Sequence, residues 1–225
     1  MTQEIFSTLE ECCEFANQFI WLTNKEKLEQ KDEVVAIHIA LTKHIDEIVN
    51  RVCARHGLKC QWLLNYRLRC SLGRGGCGEI TLSPKLLFLG ANSFRSVILH
   101  ELAHLTHLHH RRSFWETHIA YMQEENLLPQ GEITGGFVLR PALWPSKKME
   151  KCYQLDLNGK PIVLLRCANP HDAFGYSTYF QNHNSLIPAP HGGYMDGYRS
   201  RAVKAMKEII MNTPNRKELA IKVRL

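Results

Sequence analysis

The chain has 225 residues, 44% of them hydrophobic and 22% charged, with a formal net charge of +6. That length and apolar content suffice to bury a core, which excludes a disordered or low-complexity chain. No run approaches the roughly 18 uninterrupted apolar residues of a membrane helix, and Met1-Thr2-Gln3-Glu4-Ile5 lacks the basic start and apolar stretch of a secretory signal, so a cytoplasmic protein with no membrane association is expected.

Residues 7–20 and 33–56 carry apolar residues at helical spacing, and in the second Val34, Ile37, Leu41, Ile45 and Ile48 make a stripe. His38 falls beside that stripe and reads as a flank residue rather than a ligand. Residues 61–70 and 79–88 read as a short antiparallel strand pair around a glycine-rich turn. The eight cysteines are irregularly spaced with no C-x-x-C, which points to reduced, mostly buried thiols. The next helix is predicted from about Asn92, with Ser93 as its cap.

That helix carries His100-Glu101-Leu102-Ala103-His104-Leu105-Thr106-His107-Leu108-His109-His110. At about 100° per residue, His100 and His104 lie roughly 40° apart and one turn apart. Two imidazoles so placed can share one tetrahedral Zn²⁺, while Glu101 points off that axis, free to hold a water rather than the metal. A catalytic zinc takes a third protein ligand. On an unbroken helix His107 would share the ligand face but sit a turn too far along, roughly 10 Å from His100. The chain is therefore expected to turn after His104 and bring a later residue back. The spacing of His100, His104 and His110 equals that of zinc enzymes whose third histidine follows a helix end, so His110 is the third ligand expected, with His107 on the helix surface or behind the ligands and His109 facing solvent.

Neighbouring segments carry a resemblance. Arg51-Val52-Cys53-Ala54-Arg55-His56-Gly57-Leu58-Lys59, then Arg67-Leu68-Arg69, then Gly75-Gly76-Cys77-Gly78-Glu79-Ile80-Thr81-Leu82-Ser83-Pro84-Lys85-Leu86-Leu87, then His100–His110 followed by Arg111-Arg112-Ser113-Phe114-Trp115, are similar in turn to segments of a YgjP-like metallopeptidase domain, related to the WLM and SprT groups. The resemblance covers about residues 44–120, and the Phe-Trp spacing after the last histidine is its most specific part. It implies a zincin-like fold, with zinc on His100, His104 and His110 and Glu101 as catalytic base. Two departures stand out: the family's N-H-S step reads His109-His110-Arg111, and the segment Leu72-Gly73-Arg74-Gly75-Gly76-Cys77 is longer and richer in glycine.

Phe114 to Glu125 continues helically, and residues 131–151 look irregular, with Gly135-Gly136 and two prolines. Residues 152–157 and 160–166 flank Asn158-Gly159 and read as a hairpin with a type I′ turn. Residues 168–198 give little regular signal; Arg199–Met211 is a predicted helix, and alternation from Leu219 to Leu225 a last strand. Residues 198–225 hold eight cations against two anions, which accounts for the whole net charge. Weak nucleic-acid association through this stretch is one expectation; a solvated helix face is the plainer one. The fold expected is α+β: a helical N-terminal half with a small antiparallel sheet beside the zinc-binding helix, and a small C-terminal α+β portion. The domain reading is 1–130 as a zincin-like metallopeptidase domain, 131–151 as a linker or cleft loop, and 152–225 as a small basic appendage. The function expected is a zinc-dependent hydrolase acting on a peptide or protein substrate, with a nucleotide hydrolase or a nucleic-acid-associated protease as alternatives. Nothing in the sequence sets an oligomeric state.

Overall fold

A computed structural model describes residues 6–68, 71–109, 111–140, 150–167, 193–214, 216–219 and 222–225. In chain order its elements are α1 (Leu9–Trp21), α2 (Asn24–Glu29), α3 (Lys31–His56), β1 (Gln61–Asn65), β2 (Gly73–Gly76), β3 (Glu79–Leu82), α4 (Ala91–Ala103), α5 (Arg112–Glu124), β4 (Ile133–Arg140), β5 (Glu150–Leu157), β6 (Lys160–Cys167), α6 (Gly193–Met211), α7 (Arg216–Leu219) and β7 (Val223–Arg224). They fall into two compact units, Met1–Thr106 with Pro188–Leu225, and His107–Ile187. Among the described residues no helix is long and apolar enough to cross a membrane.

In the first unit, α1 starts at a capping box in which Thr8 and Glu11 satisfy each other's backbone N–H groups. The stripe foreseen in α3 is buried at Val34, Ile37, Leu41, Ile45 and Ile48, and the helix stops at Gly57, whose φ of 63° favours glycine. α6 buries Ala202, Val203, Met206, Ile209 and Ile210 and packs against α1 and α3.

The sheet of this unit runs β2-β3-β1-β7 and is mixed, not antiparallel. β1 pairs in parallel with both β3 and β7, and the antiparallel partner of β3 is β2. The glycine-rich segment expected to be a turn is itself a strand. The tight turn is Cys77-Gly78, both at positive φ, and it joins β2 to β3. β1 therefore pairs with the opposite edge of β3, in parallel. Residues 84–89 form a 3-10 helix rather than prolonging the strand. α4 starts one residue before the expected Asn92, after Gly90 at φ 82°. Ser93 lies inside the helix and is buried, so it is not the cap.

At the other edge of the sheet the C-terminal segment is held by polar contacts. Leu64 and Tyr66 donate their N–H groups to Lys222 and Arg224 carbonyls at 2.8 and 2.9 Å. The Asp46 carboxylate accepts from the Trp62 indole at 2.7 Å and from Lys222. His38 is not a flank residue: it is 1% exposed, and its Nδ1 and Nε2 lie 3.0 Å from Tyr66 Oη and from the Leu219 carbonyl respectively. A carbonyl only accepts, so Nε2 carries the proton and Nδ1 accepts from the tyrosine. Among the described residues of the stretch read as alternating only Val223–Arg224 is strand, and residues 216–219 are helical.

In the second unit, α5 buries Phe114, Trp115, Ile119, Tyr121 and Met122. The Gln123 side chain donates to the Pro129 and Gly131 carbonyls at 3.0 and 3.1 Å, fixing the turn that follows the helix. β4, β5 and β6 form an antiparallel meander. Asn158 and Gly159 connect β5 to β6 at φ 52° and 75°, the type I′ geometry predicted. The irregular reading of 131–151 is corrected at Ile133–Arg140, where β4 pairs along its whole length with β5, and at Glu150 and Lys151, which begin β5; residues 141–149 lie outside the described residues. Gly135-Gly136 looked like loop residues, but a strand that earns its hydrogen bonds from a neighbour tolerates weak local propensity.

Candidate metal centre

α4 is anchored by Phe94, Ile98, Leu99, Leu102 and Ala103, none more than 1% exposed. That burial fixes the helix rotation, and with it the three motif side chains of this unit. His100 is partly exposed, Glu101 is 6% exposed and His104 9%. The His100 and His104 rings stand edge to face with centroids 5.0 Å apart. The helix ends where the motif does. The His104 N–H is shared between the His100 and Glu101 carbonyls at 3.3 and 3.2 Å, and Leu105 and Thr106 then reach back only three residues. The regular helix thus stops at Ala103 with a tightened last turn, while the residue expected to come back to His100 and His104, His110, is outside the described residues.

β2 lies against this end of α4, and its glycines explain how. A Cβ built on Gly73 would stand 2.6 Å from Cγ and Oε1 of Glu101 and 2.8 Å from its Cδ. One on Gly75 would stand 2.3 Å from the Glu101 carbonyl oxygen and 2.9 Å from His104 Cβ. Neither glycine has positive φ, so both are glycine for space and not for backbone conformation. Burial pushes the Glu101 carboxyl up to about 8, because the charged form is poorly solvated there. A divalent cation on the neighbouring imidazoles would act in the opposite direction, favouring the carboxylate.

The donor set suits zinc: two imidazoles one helical turn apart, with a buried carboxylate between them in sequence. His110, the third ligand expected, lies outside the described residues, and among the described residues no group of three or more His, Cys, Asp or Glu is placed to hold a metal ion. His107 belongs to the second unit, where its Nε2 lies 3.0 Å from Thr117 Oγ1 and its Nδ1 3.5 Å from Ser113 Oγ. His109 is exposed. Cys77, exposed in the β2–β3 turn at φ 53°, is a turn residue. Reading the sequence missed Gly73 and Gly75 as parts of the site. The signal was present in the glycine enrichment of residues 72–77, but a glycine run announces a turn as readily as a close approach of backbone to a helix.

A family model described as YgjP-like, metallopeptidase domain, matches residues 7–126, a little over half of the chain. No curated protein and no solved structure matches it.

Proposed function

The chain belongs to the YgjP-like metallopeptidase family, and from that membership we propose that it is a zinc-dependent peptidase, with His100, His104 and His110 holding the metal and Glu101 as general base. The observation that carries this reading is the placement of the His100 and His104 rings 5.0 Å apart on the helix whose buried Glu101 separates them in sequence. When bound, zinc supplies Lewis acidity, making water a competent nucleophile near neutral pH and polarising the scissile carbonyl.

The protein's own groups do the rest. Glu101, as a carboxylate, takes a proton from the attacking water and gives it to the departing amine, a transfer that needs a group returning to its starting state each cycle. Its burial keeps bulk water from competing for that proton. Among the described residues β2 is the edge strand of its sheet, paired to β3 on one side only. An edge strand offers backbone N–H and C=O groups to an extended chain. A peptide adding to β2 would lie along the strand that touches Glu101. A nucleotide substrate is less well supported: Arg112, one of the two arginines after the histidines, is engaged by Glu116 at 2.8 Å and the Gly135 carbonyl at 3.0 Å.

The test is metal analysis of the purified chain, then turnover of a peptide library beside a panel of nucleotides. Peptide cleavage that a chelator abolishes and zinc restores is the expected result. Zinc-dependent turnover of nucleotides with no peptide cleavage would overturn the reading.

A further inference from the structure

We infer that Gly73 is a positioning residue for Glu101: the missing side chain on β2 is the seat in which the carboxylate is held. This rests on the proposed role of Glu101 for its catalytic consequence, but not for its structural core. Gly73 has no conformational need to be glycine, since its φ lies outside the left-handed region. What it lacks is room, because a Cβ there would overlap Cγ, Cδ and Oε1 of Glu101 at 2.6–2.8 Å.

The atoms met are the distal half of one side chain, not backbone. Glu101 is 6% exposed, so its distal atoms have little open space to retreat into. The Glu101 side chain is therefore what an added methyl displaces first, and with it the carboxylate. Gly75, two residues along the same strand, makes the opposite case: its Cβ would meet the Glu101 carbonyl oxygen at 2.3 Å, and no side-chain rotation relieves that. One strand thus holds two glycines with separable duties, Gly75 letting the helix approach and Gly73 setting where the base sits.

Thermal melting of the metal-free chain tests the seat without reference to activity. Gly73→Ala is expected to lower the melting temperature by about 5 °C in the otherwise native chain. In a Glu101→Ala background the same change is expected to cost under about 1 °C, because the space is vacated. Gly75→Ala is expected to lower it in both backgrounds. Equal losses for Gly73→Ala in the two backgrounds would overturn the inference. On the zinc-loaded enzyme, Gly73→Ala is expected to keep its zinc content and to lose about 100-fold in kcat, with KM changed less than about 3-fold. Loss of zinc, or an unchanged kcat in a variant that shows the melting coupling, would remove the positioning role. Failure of every peptide to turn over in the native enzyme would instead count against the peptidase reading and leave the melting cycle to decide the seat.

Discussion

Replacing His38 with Phe keeps an aromatic ring, somewhat larger than imidazole, in the core and removes two hydrogen bonds at once. Tyr66, whose hydroxyl is fully buried and whose pKa burial raises, loses the Nδ1 acceptor 3.0 Å away. The Leu219 carbonyl loses the Nε2–H donor at the same distance, though Leu219 is itself partly exposed and water replaces some of that loss. A buried polar group left without its partner costs about 1–3 kcal/mol. With the tyrosine at about 2 and the carbonyl near the lower bound, the loss is about 3 kcal/mol, or roughly 9 °C in melting temperature for a chain of this size. The pH dependence sharpens the test. Burial lowers the His38 pKa from 6.5, so as pH falls through that value the unfolded chain takes up a proton before the folded one does. The stability tied to a neutral His38 is therefore fully present above about pH 6.5 and lost progressively below it. Urea denaturation of native and His38→Phe proteins at pH 7.5 and 5.5 measures both effects. The gap between them is expected to narrow in acid, and zinc content is expected to be unchanged, since this contact lies at the β7 edge of the sheet and not at β2. A variant within about 0.5 kcal/mol of native, or a gap that widens in acid, would refute the reasoning.

Glu101→Gln is expected to keep zinc and fold while turnover falls about 10²–10⁴-fold, because the amide fills the same space but cannot take a proton; near-native turnover would remove Glu101 as the base. His100→Ala, His104→Ala and His110→Ala are each expected to lose bound zinc, measured by elemental analysis, whereas His109→Ala keeps it; full zinc in His110→Ala would reassign the third ligand. Mobility shift of single-stranded nucleic acid at two salt concentrations is expected to show only weak binding that vanishes at the higher one, and tight binding that persists would promote a nucleic-acid role for residues 198–225.

The parts of the fold legible in the sequence are those specified locally. The stripe in α3 and the Asn158-Gly159 turn each follow from a few neighbouring residues, and each stands where it was read. Pairing direction is not local. β1 and β3 were recognisable as strands, but whether they run parallel depends on what lies between them, and there Gly73–Gly76 has one side chain, Arg74, among three glycines, too little to advertise a strand. Its place is decided from outside, by the paired register with β3 and by the closeness of α4. The start of α4 stands within one residue of where it was read, but its cap does not: Ser93 is a good cap in isolation, yet the chain enters the helix through Gly90, and Ser93 is already buried.

The candidate site divides along the same line. His100, Glu101 and His104 are readable because a helix converts a spacing of four into a shared face. Gly73 and Gly75 are unreadable because their partners lie some 28 residues away in sequence, across a contact that only the folded chain makes. In the basic C-terminus several of the charges counted from sequence have partners in the fold. Lys222 is bound to Asp46 and lies 4.9 Å over the Trp62 ring, Arg201 lies 4.4 Å over Tyr198, and Lys204 pairs with Glu208 at 3.8 Å. With Arg216, which donates to the Met211 carbonyl at 3.4 Å, at least four of the eight cations have internal contacts among the described residues, and Lys222 helps hold β7 in the sheet. A cation paired with a carboxylate, as Lys222 and Lys204 are, contributes less to a long-range field than its formal charge suggests, since the partner carries the opposite charge. Of these contacts only those of Lys222 fasten the C-terminal segment to α3 and β1; the others lie within the segment itself, and the mobility-shift experiment decides whether the remaining charge attracts a polyanion.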